Sequence, residues 1–157
     1  MELNPENPVF HIIYAERLSK LGKHNKAENE FLLELKLGYN HFAIYHSYPD
    51  LLEKMERYDE AEKIRLIWID LYPENTLLHN NYSNFLKEQK RYKEAKKHAL
   101  LALKFSDIGD IIWYKTNLAD IHEKMNELEK ALNIYEEVLV DTESGAKNWL
   151  SVEKIKE

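Results

Sequence analysis

Cysteine is absent from this chain of 157 residues. That absence excludes a disulfide framework, a thiolate nucleophile and a thiolate metal site. Glycine and proline are scarce, with four of each. The scattered glycines form neither a phosphate-cradling loop nor the Gly-x-Ser-x-Gly turn that presents a nucleophilic serine. No apolar run approaches the roughly 18 residues that a membrane span needs.

Positive charge is also in deficit, because 22 basic residues face 28 acidic ones and the net charge is −6. This balance argues against nucleic acid or an anionic membrane as the main partner. The first nine residues are polar and include Pro5 and Pro8, so we expect no signal peptide. The length fits one domain. We therefore expect a single domain over residues 1–157, a cytoplasmic location, and neither nucleic acid nor membrane as partner.

What the chain does contain is a recurring alanine in a similar local setting. Successive members of this series are 34, 34 and 36 residues apart. A period of this length indicates one supersecondary unit copied four times, and such copies must stack to bury their apolar faces. The four marker alanines are Ala27, Ala61, Ala95 and Ala131.

Residue types around each marker alanine repeat with helical spacing. Thirteen positions earlier lie large residues, namely Tyr14, Tyr48, Tyr82 and Leu118. Twelve positions earlier lie Ala15, Pro49, Ser83 and Ala119. Apolar spacings of three, four and seven residues predict helices and not strands. The predicted helix pairs are 8–21 with 24–37, 41–55 with 58–71, 75–89 with 92–105, and 110–125 with 128–141. A separate capping helix is expected at about 145–156, with Trp149 and Val152 covering the fourth pair.

The segments Tyr82…Leu86…Tyr92…Ala95 and Leu71-Tyr72-Pro73-Glu74-Asn75 resemble tetratricopeptide repeats, and so does Trp113-Tyr114…Leu118-Ala119…Ala131…Tyr135. The resemblance covers almost the whole chain. It implies an all-α, right-handed superhelical solenoid of antiparallel helix pairs. The implied repeats are about 8–39, 40–74, 75–109 and 110–143.

The second repeat departs from the family pattern at Pro49, where a small residue is usual. Inside a helix, proline removes a hydrogen bond to the Tyr45 carbonyl and costs roughly 3 kcal/mol. We predict a kink near Tyr45–Pro49, which either widens the groove or is an irregularity that packing tolerates. Glu34, Arg65 and Lys115 likewise replace apolar or aromatic residues that the family favours.

Catalytic and metal-binding patterns have little support. His46 and Asp50 are four residues apart on one helical face, but a metal site needs three or four ligands, so a polar pair lining the groove is the better interpretation. We expect no metal, no cofactor and no enzymatic activity. Three histidines, His11, His79 and His122, are expected to pack in or near the core. Five tyrosines also fall on packing rows: Tyr14, Tyr48, Tyr58, Tyr82 and Tyr92. The lysines between 87 and 104 form either a solvated face or a docking patch for an acidic partner.

The resemblance implies that the first helix of each pair lines a concave surface. Asn81 and Asn117 match the asparagine ladder with which the family grips extended peptides, since an amide donates and accepts at once. Glu16, Asp50 and Asp120 make one row acidic, and this row favours a basic ligand. The lysine-rich clamp for acidic chaperone tails is missing, because Ile12, Glu16 and Ser47 occupy its positions. The predicted groove residues are Ile13, Glu16, His46, Asp50, Asn80, Asn81, Asn84, Trp113, Asn117 and Asp120.

These observations predict a non-catalytic scaffold that binds a peptide or helix of a partner protein in its concave groove. The partner is expected not to be an acidic tail. We expect the chain to be a monomer or weak homodimer. Two alternatives stay open at this point. One alternative is an oligomerisation or assembly module that acts through its ends or convex face. The other is the recognition part of a larger multidomain protein.

Overall fold

A computed structural model describes the backbone of residues 8–37, 44–107 and 110–153, and side chains within 10–37, 44–107 and 110–141. Within these residues the chain forms helices and no strand, which confirms the all-α prediction. The helices are α1 Pro8–Lys20, α2 His24–Leu37, α3 Ile44–Lys54, α4 Tyr58–Leu71, α5 Thr76–Glu88, α6 Tyr92–Phe105, α7 Ile111–Lys124 and α8 Leu128–Glu153.

The same backbone turn joins the two helices of every pair. The residue five positions before the marker alanine has a positive φ in each turn, although only the first of these residues is glycine. The next residue donates its N–H to a carbonyl near the end of the first helix, as from Arg91 to Leu86 at 2.8 Å. This closure satisfies carbonyls that the helix end would otherwise leave without a donor. The four positive-φ residues are Gly22, Glu56, Lys90 and Asn126.

The helices group into two compact units, Met1–Pro73 and Glu74–Glu157. In the first unit, α1 packs on α2, α3 packs on α4, and α2 and α1 both contact α3. In the second unit, α5 packs on α6, α7 packs on α8, and α6 and α5 both contact α7. Each unit is thus two stacked helix pairs. The single-domain prediction stays a prediction, and its predicted boundaries at 39–40 and 109 fall on residues outside the described ranges.

The marker alanines are buried, with an exposed fraction of at most 2%. The smaller residues that precede them are buried too, including Ser83, whose Oγ donates to the Ala95 carbonyl at 2.8 Å. Small side chains at these positions let paired helices approach closely, and any larger group would have to displace a neighbouring helix. The repeat pattern therefore marks the helix contacts of both units.

Three details differ from the expectations or extend them. Helix α8 continues through residues 141–146, so a separate capping helix from about 145 is wrong. The segment contains no proline, and its one glycine costs only about 1 kcal/mol in a helix. The side chains of Trp149 and Val152, and residues 154–157, lie outside what the structure describes. Pro49 lies buried inside α3, and the predicted kink there stays a prediction.

The tyrosines divide between core and surface. Tyr48 and Tyr82 are buried as predicted, whereas Tyr14 and Tyr58 are exposed, so their assignment to the core is wrong. Tyr14 has the position of Tyr48 in its repeat, but no described helix covers that side of α1. None of the described helices is long and apolar enough to cross a membrane.

Candidate functional site

In the first unit, three of the four predicted groove residues line one small cavity of about 240 Å³. The fourth, Ile13, is exposed on α1 and does not line it. The cavity is lined by Glu16, Ser19, Lys20, Phe31, His46, Ser47, Asp50 and Lys54, and so is mainly polar. We refer to it as the unit-1 pocket. A site of this chemistry accommodates polar or charged groups of a ligand and not an apolar body.

Internal partners already hold the carboxylates of the unit-1 pocket. Ser47 Oγ donates to Glu16 Oε1 at 2.7 Å. Arg65 Nη2 donates to Asp50 Oδ1 at 2.7 Å and also pairs with Glu53. The Arg65 side chain is nearly buried, so its guanidinium contacts these two carboxylates and not solvent. Asp50 therefore shares one cation with Glu53 within the unit, whereas Glu16 forms no ion pair among the described residues.

In the second unit, Asn117 is the centre of a polar network between α5 and α7. Its Nδ2 donates to Asn80 Oδ1 at 3.0 Å and to Ser83 Oγ at 3.3 Å. Its Oδ1 accepts from Lys87 Nζ at 2.9 Å. Asn117 is buried, so this network satisfies an amide that would otherwise cost free energy in the core. Asn117 thus ties the two helices together and has little capacity left for a ligand.

Asp120 belongs to the same network. Its Oδ1 accepts from Tyr135 Oη at 3.0 Å, and its Oδ2 lies 3.4 Å from Lys87 Nζ. Burial and the adjacent Asp120 carboxylate raise the pKa of Tyr135 to about 12, which keeps the phenol protonated as a donor. Asp120, like Asp50, therefore has its charge offset by an internal cation.

Asn81 and Asn84 behave differently from Asn117. Both lie half-buried on α5, and among the described residues neither side chain forms a hydrogen bond. They are three residues apart, so they share one helical face with Asn80. We call Asn80, Asn81 and Asn84 the amide face. Its two unbonded amides can each donate and accept, as a peptide backbone requires.

Two large apolar side chains are exposed on the same helices as these polar groups. Trp113, near the start of α7, is 77% exposed, and Leu77 on α5 is 39% exposed. An exposed tryptophan of this size offers an apolar anchor with an N–H donor. Trp113 was predicted for this role from its position in the repeat, and the structure leaves its indole accessible.

The partners of the predicted acidic residues were not recognised in the sequence. Arg65 and Lys87 each pair with a carboxylate that had been assigned to ligand selection. A signal was present for Arg65, because its position four residues after a marker alanine holds Phe31, Ala99 and Tyr135 elsewhere. A cation at a packing position indicates a buried ion pair. For Lys87, no comparable signal distinguishes it from the surface lysines that follow.

The described residues contain no group of three or more histidine, aspartate and glutamate side chains arranged to hold a metal ion. His46 and Asp50 lie together in the unit-1 pocket, but the Asp50 carboxylate is bound by Arg65.

Comparison with solved structures identifies several proteins of similar fold. PilF of Pseudomonas aeruginosa superposes with a TM-score of 0.73 at 19% identity, over 85% of this chain and 60% of that one. MamA from Desulfovibrio magneticus RS-1 superposes with a TM-score of 0.71 at 17% identity, over 89% of this chain and 78% of MamA. BtubC from P. vanneervenii superposes with a TM-score of 0.73 at 16% identity, over 92% of this chain and 68% of BtubC. These neighbours are helical solenoids of the tetratricopeptide-repeat type, which confirms the predicted fold.

The chain therefore spans about 60% of the length of PilF. No protein-family model matches the sequence, and none of the curated proteins matches it. At these identities the likeness establishes the fold alone.

Proposed function

We propose that this chain, which has the fold of tetratricopeptide-repeat proteins, is a non-catalytic scaffold that binds an extended segment of a partner protein. That a protein of this fold serves protein interaction in general agrees with its structural neighbours. The finer proposal is that the amide face holds polar groups of the segment and that Trp113 anchors one of its apolar side chains.

The observation that carries this proposal is the contrast between Asn117 and its two neighbours in the predicted ladder. Both Nδ2 and Oδ1 of Asn117 form hydrogen bonds within the unit, whereas the side chains of Asn81 and Asn84 form none among the described residues. Half-buried amides without internal partners are suited to form hydrogen bonds with a ligand, because their partial desolvation strengthens a well-aligned hydrogen bond. Two such groups on one face match successive polar groups of an extended backbone.

The charge preference of the unit-1 pocket is a separate matter and follows from the paired carboxylates. Arg65 pairs with both Asp50 and Glu53, and Lys87 lies beside Asp120, so Glu16 is the member of the predicted acidic row that forms no ion pair among the described residues. Because Lys20 and Lys54 line the same pocket, we propose a weak preference for a basic group beside Glu16. A ligand chosen mainly for backbone contacts would show limited dependence on its side-chain sequence.

The proposal is tested by identifying a partner with the purified chain as bait and measuring its affinity for variants by calorimetry. Asn81→Ala with Asn84→Ala should weaken binding at least tenfold, which corresponds to about 1.4 kcal/mol. Asn133→Ala, at an exposed position on α8, is the matched control and should leave the affinity unchanged. Circular dichroism should show equal helicity in all three proteins.

An unchanged affinity of the Asn81/Asn84 double variant would refute the proposed site. Asn117→Ala serves a different purpose, since it removes three hydrogen bonds from a buried network. It should lower the free energy of unfolding by about 1–3 kcal/mol. Loss of binding in that variant would therefore report on the fold and not on ligand contact.

A further inference from the structure

One side of α1 is exposed although the same side of its counterparts is buried. Phe10 is 42% and Tyr14 is 54% exposed. Tyr14 corresponds by repeat position to Tyr48, Tyr82 and Leu118, and Phe10 corresponds to Ile44, Leu78 and Tyr114. All six of these counterparts are at most 7% exposed. Leu21, the first residue after α1, follows Tyr14 by seven positions and is also exposed. We call Phe10, Tyr14 and Leu21 the α1 face.

One side of α8 is also exposed, although the corresponding side of α6 is half-buried. Leu128, Leu132 and Leu139 share one helical line and are 60%, 57% and 63% exposed. Their counterparts on α6 are Tyr92, Lys96 and Leu103, which are half-buried. The difference arises because α6 packs against α7, whereas no described helix follows α8. We call Leu128, Leu132 and Leu139 the α8 face.

Within the chain, a residue at a repeat position of the α8 face contacts a residue at a repeat position of the α1 face. Glu28 on α2 has the repeat position of Leu132, and Tyr48 on α3 has that of Tyr14. Tyr48 Oη donates to Glu28 Oε1 at 3.2 Å, across the contact between α2 and α3. In the second unit, Lys96 also has the position of Leu132, and its Nζ lies 3.7 Å from Glu127 at the end of the α7–α8 turn. The contact between α2 and α3 therefore joins an α8-type position to an α1-type position.

The two exposed faces also match in chemistry. At the Leu132 position, the internal contacts use polar partners, whereas Leu132 and Tyr14 would bring two large apolar groups together. Arg17 lies on the α1 face line and Glu136 beside the α8 face; both are exposed, and neither forms an ion pair among the described residues. Arg17 stands where its counterparts are the buried Leu51, Phe85 and Ile121. Glu136 has the repeat position of Leu32, Leu66 and Leu100, which stay exposed, so its carboxylate lies outside the apolar contact.

We propose that two copies of this chain associate head to tail, with the α8 face of one copy packed on the α1 face of the next. The contact reproduces the α6–α7 stacking within the second unit. Burying apolar surface that the isolated chain exposes provides the driving force. Because the two faces differ, the contact is heterologous, and each copy retains one free face for a further copy. This inference is independent of partner binding by the amide face.

A second copy is favoured over an unrelated partner because it supplies both halves of the contact. The α8 face needs an apolar helix face, and the α1 face is such a surface. The α8 face in turn meets the same requirement of the α1 face. An unrelated partner would have to satisfy only one of these faces and would leave the other exposed.

Sedimentation velocity on the 157-residue chain over a range of micromolar concentrations tests the proposal. The average mass of the unmodified chain should rise at least twofold with concentration. Tyr14→Glu and Leu132→Glu should each remain monomeric at every concentration. An equimolar mixture of the two variants should form a one-to-one dimer and nothing larger, since one intact α8 face meets one intact α1 face.

Leu100→Glu, at an exposed leucine of α6 outside both faces, is the control and should associate like the unmodified chain. Circular dichroism and thermal melting establish that each variant is folded, and Phe10→Glu replaces Tyr14→Glu if the latter is not. A chain that is monomeric at all concentrations would overturn the proposal. So would a mixture that stays monomeric, or a Tyr14→Glu variant that still dimerises, because the latter requires contact between two identical faces.

Discussion

The imidazoles of His79 and His98 face each other in the core of the second unit, with their Nδ1 atoms 3.0 Å apart. His79 is buried, and Tyr82 meets His98 edge-on with ring centres 4.6 Å apart. One Nδ1 must carry a hydrogen and the other must accept it, so both cannot be charged at these atoms. Burial, followed by His79, lowers the pKa of His98 to about 4, while the nearby Glu94 raises it and Lys97 lowers it.

This pair makes the second unit sensitive to acid. The unfolded chain binds a proton at His98 near pH 6.5, whereas the folded chain binds it only near pH 4, so stability is complete above 6.5 and decreases as pH falls. Between pH 7 and pH 5, the free energy of unfolding should fall by about 2 kcal/mol more in the unmodified chain than in the His98→Gln variant. Urea unfolding at both pH values measures this difference. His46→Gln, outside the core, should behave as the unmodified chain, and equal losses for His98→Gln and the unmodified chain would contradict the assignment.

At the same scale, the candidate site was only partly predictable. The positions of Asn81, Asn84 and Trp113 followed from the repeat, and the structure leaves these side chains available. The sequence did not show that Asn117, Asp50 and Asp120, unlike these three residues, bond to neighbouring helices. Whether a polar side chain faces a ligand or a neighbouring helix depends on cations such as Arg65 and Lys87, which come from other elements.

Helix α3 illustrates how packing overrides local preference at the scale of an element. Pro49 occupies a buried position inside α3 that holds alanine or serine in the other three repeats. Proline cannot donate a hydrogen bond to the carbonyl four residues earlier, yet the helix continues through it. The packing of the buried face of α3 against α4 compensates for that loss.

Replacement of this proline should therefore stabilise the element. Pro49→Ala restores the backbone donor at a position where the repeat accepts alanine, and should raise the free energy of unfolding by about 1–3 kcal/mol. Urea unfolding followed by circular dichroism provides the measurement. Pro73→Ala, in the exposed turn after α4, is the control and should change stability by less than about 0.5 kcal/mol. A destabilised Pro49→Ala would show that the proline ring contributes packing that alanine cannot supply.

The turns between paired helices show the opposite situation, in which geometry is the same and sequence varies. Gly22, Glu56, Lys90 and Asn126 all adopt positive φ, although only the first does so without steric cost. The closing hydrogen bonds of each turn stabilise this conformation. The existence of these turns was predictable from the polar breaks, but their common left-handed residue was not.

At the scale of the whole molecule, the chain consists of two compact units of two helix pairs each. In repeat proteins the stability is approximately a sum of repeat terms and nearest-neighbour contacts. A substitution that overpacks one marker alanine should therefore affect its own unit most. The two central markers, Ala61 and Ala95, lie in different units and are equally buried.

Hydrogen exchange measured by mass spectrometry tests this division. Ala95→Leu overpacks the second unit by about 1–3 kcal/mol and should raise exchange mainly in α5–α8. Ala61→Leu is the matched variant and should raise exchange mainly in α1–α4. A uniform increase over all eight described helices in both variants would indicate one cooperative body instead.

The sequence by itself determined the helix pairs, their order and the buried small residues, because period, burial and helix–helix approach depend on local patterns that repeat. Tertiary structure decided which polar residues are available. Asn117 and Asn81 have the same position in their repeats, but Lys87, Asn80 and Ser83 surround only Asn117. Tertiary structure likewise decided that Tyr14 is exposed and Tyr48 is buried. A side chain's environment is set by whichever element packs over it, and that element lies elsewhere in the sequence.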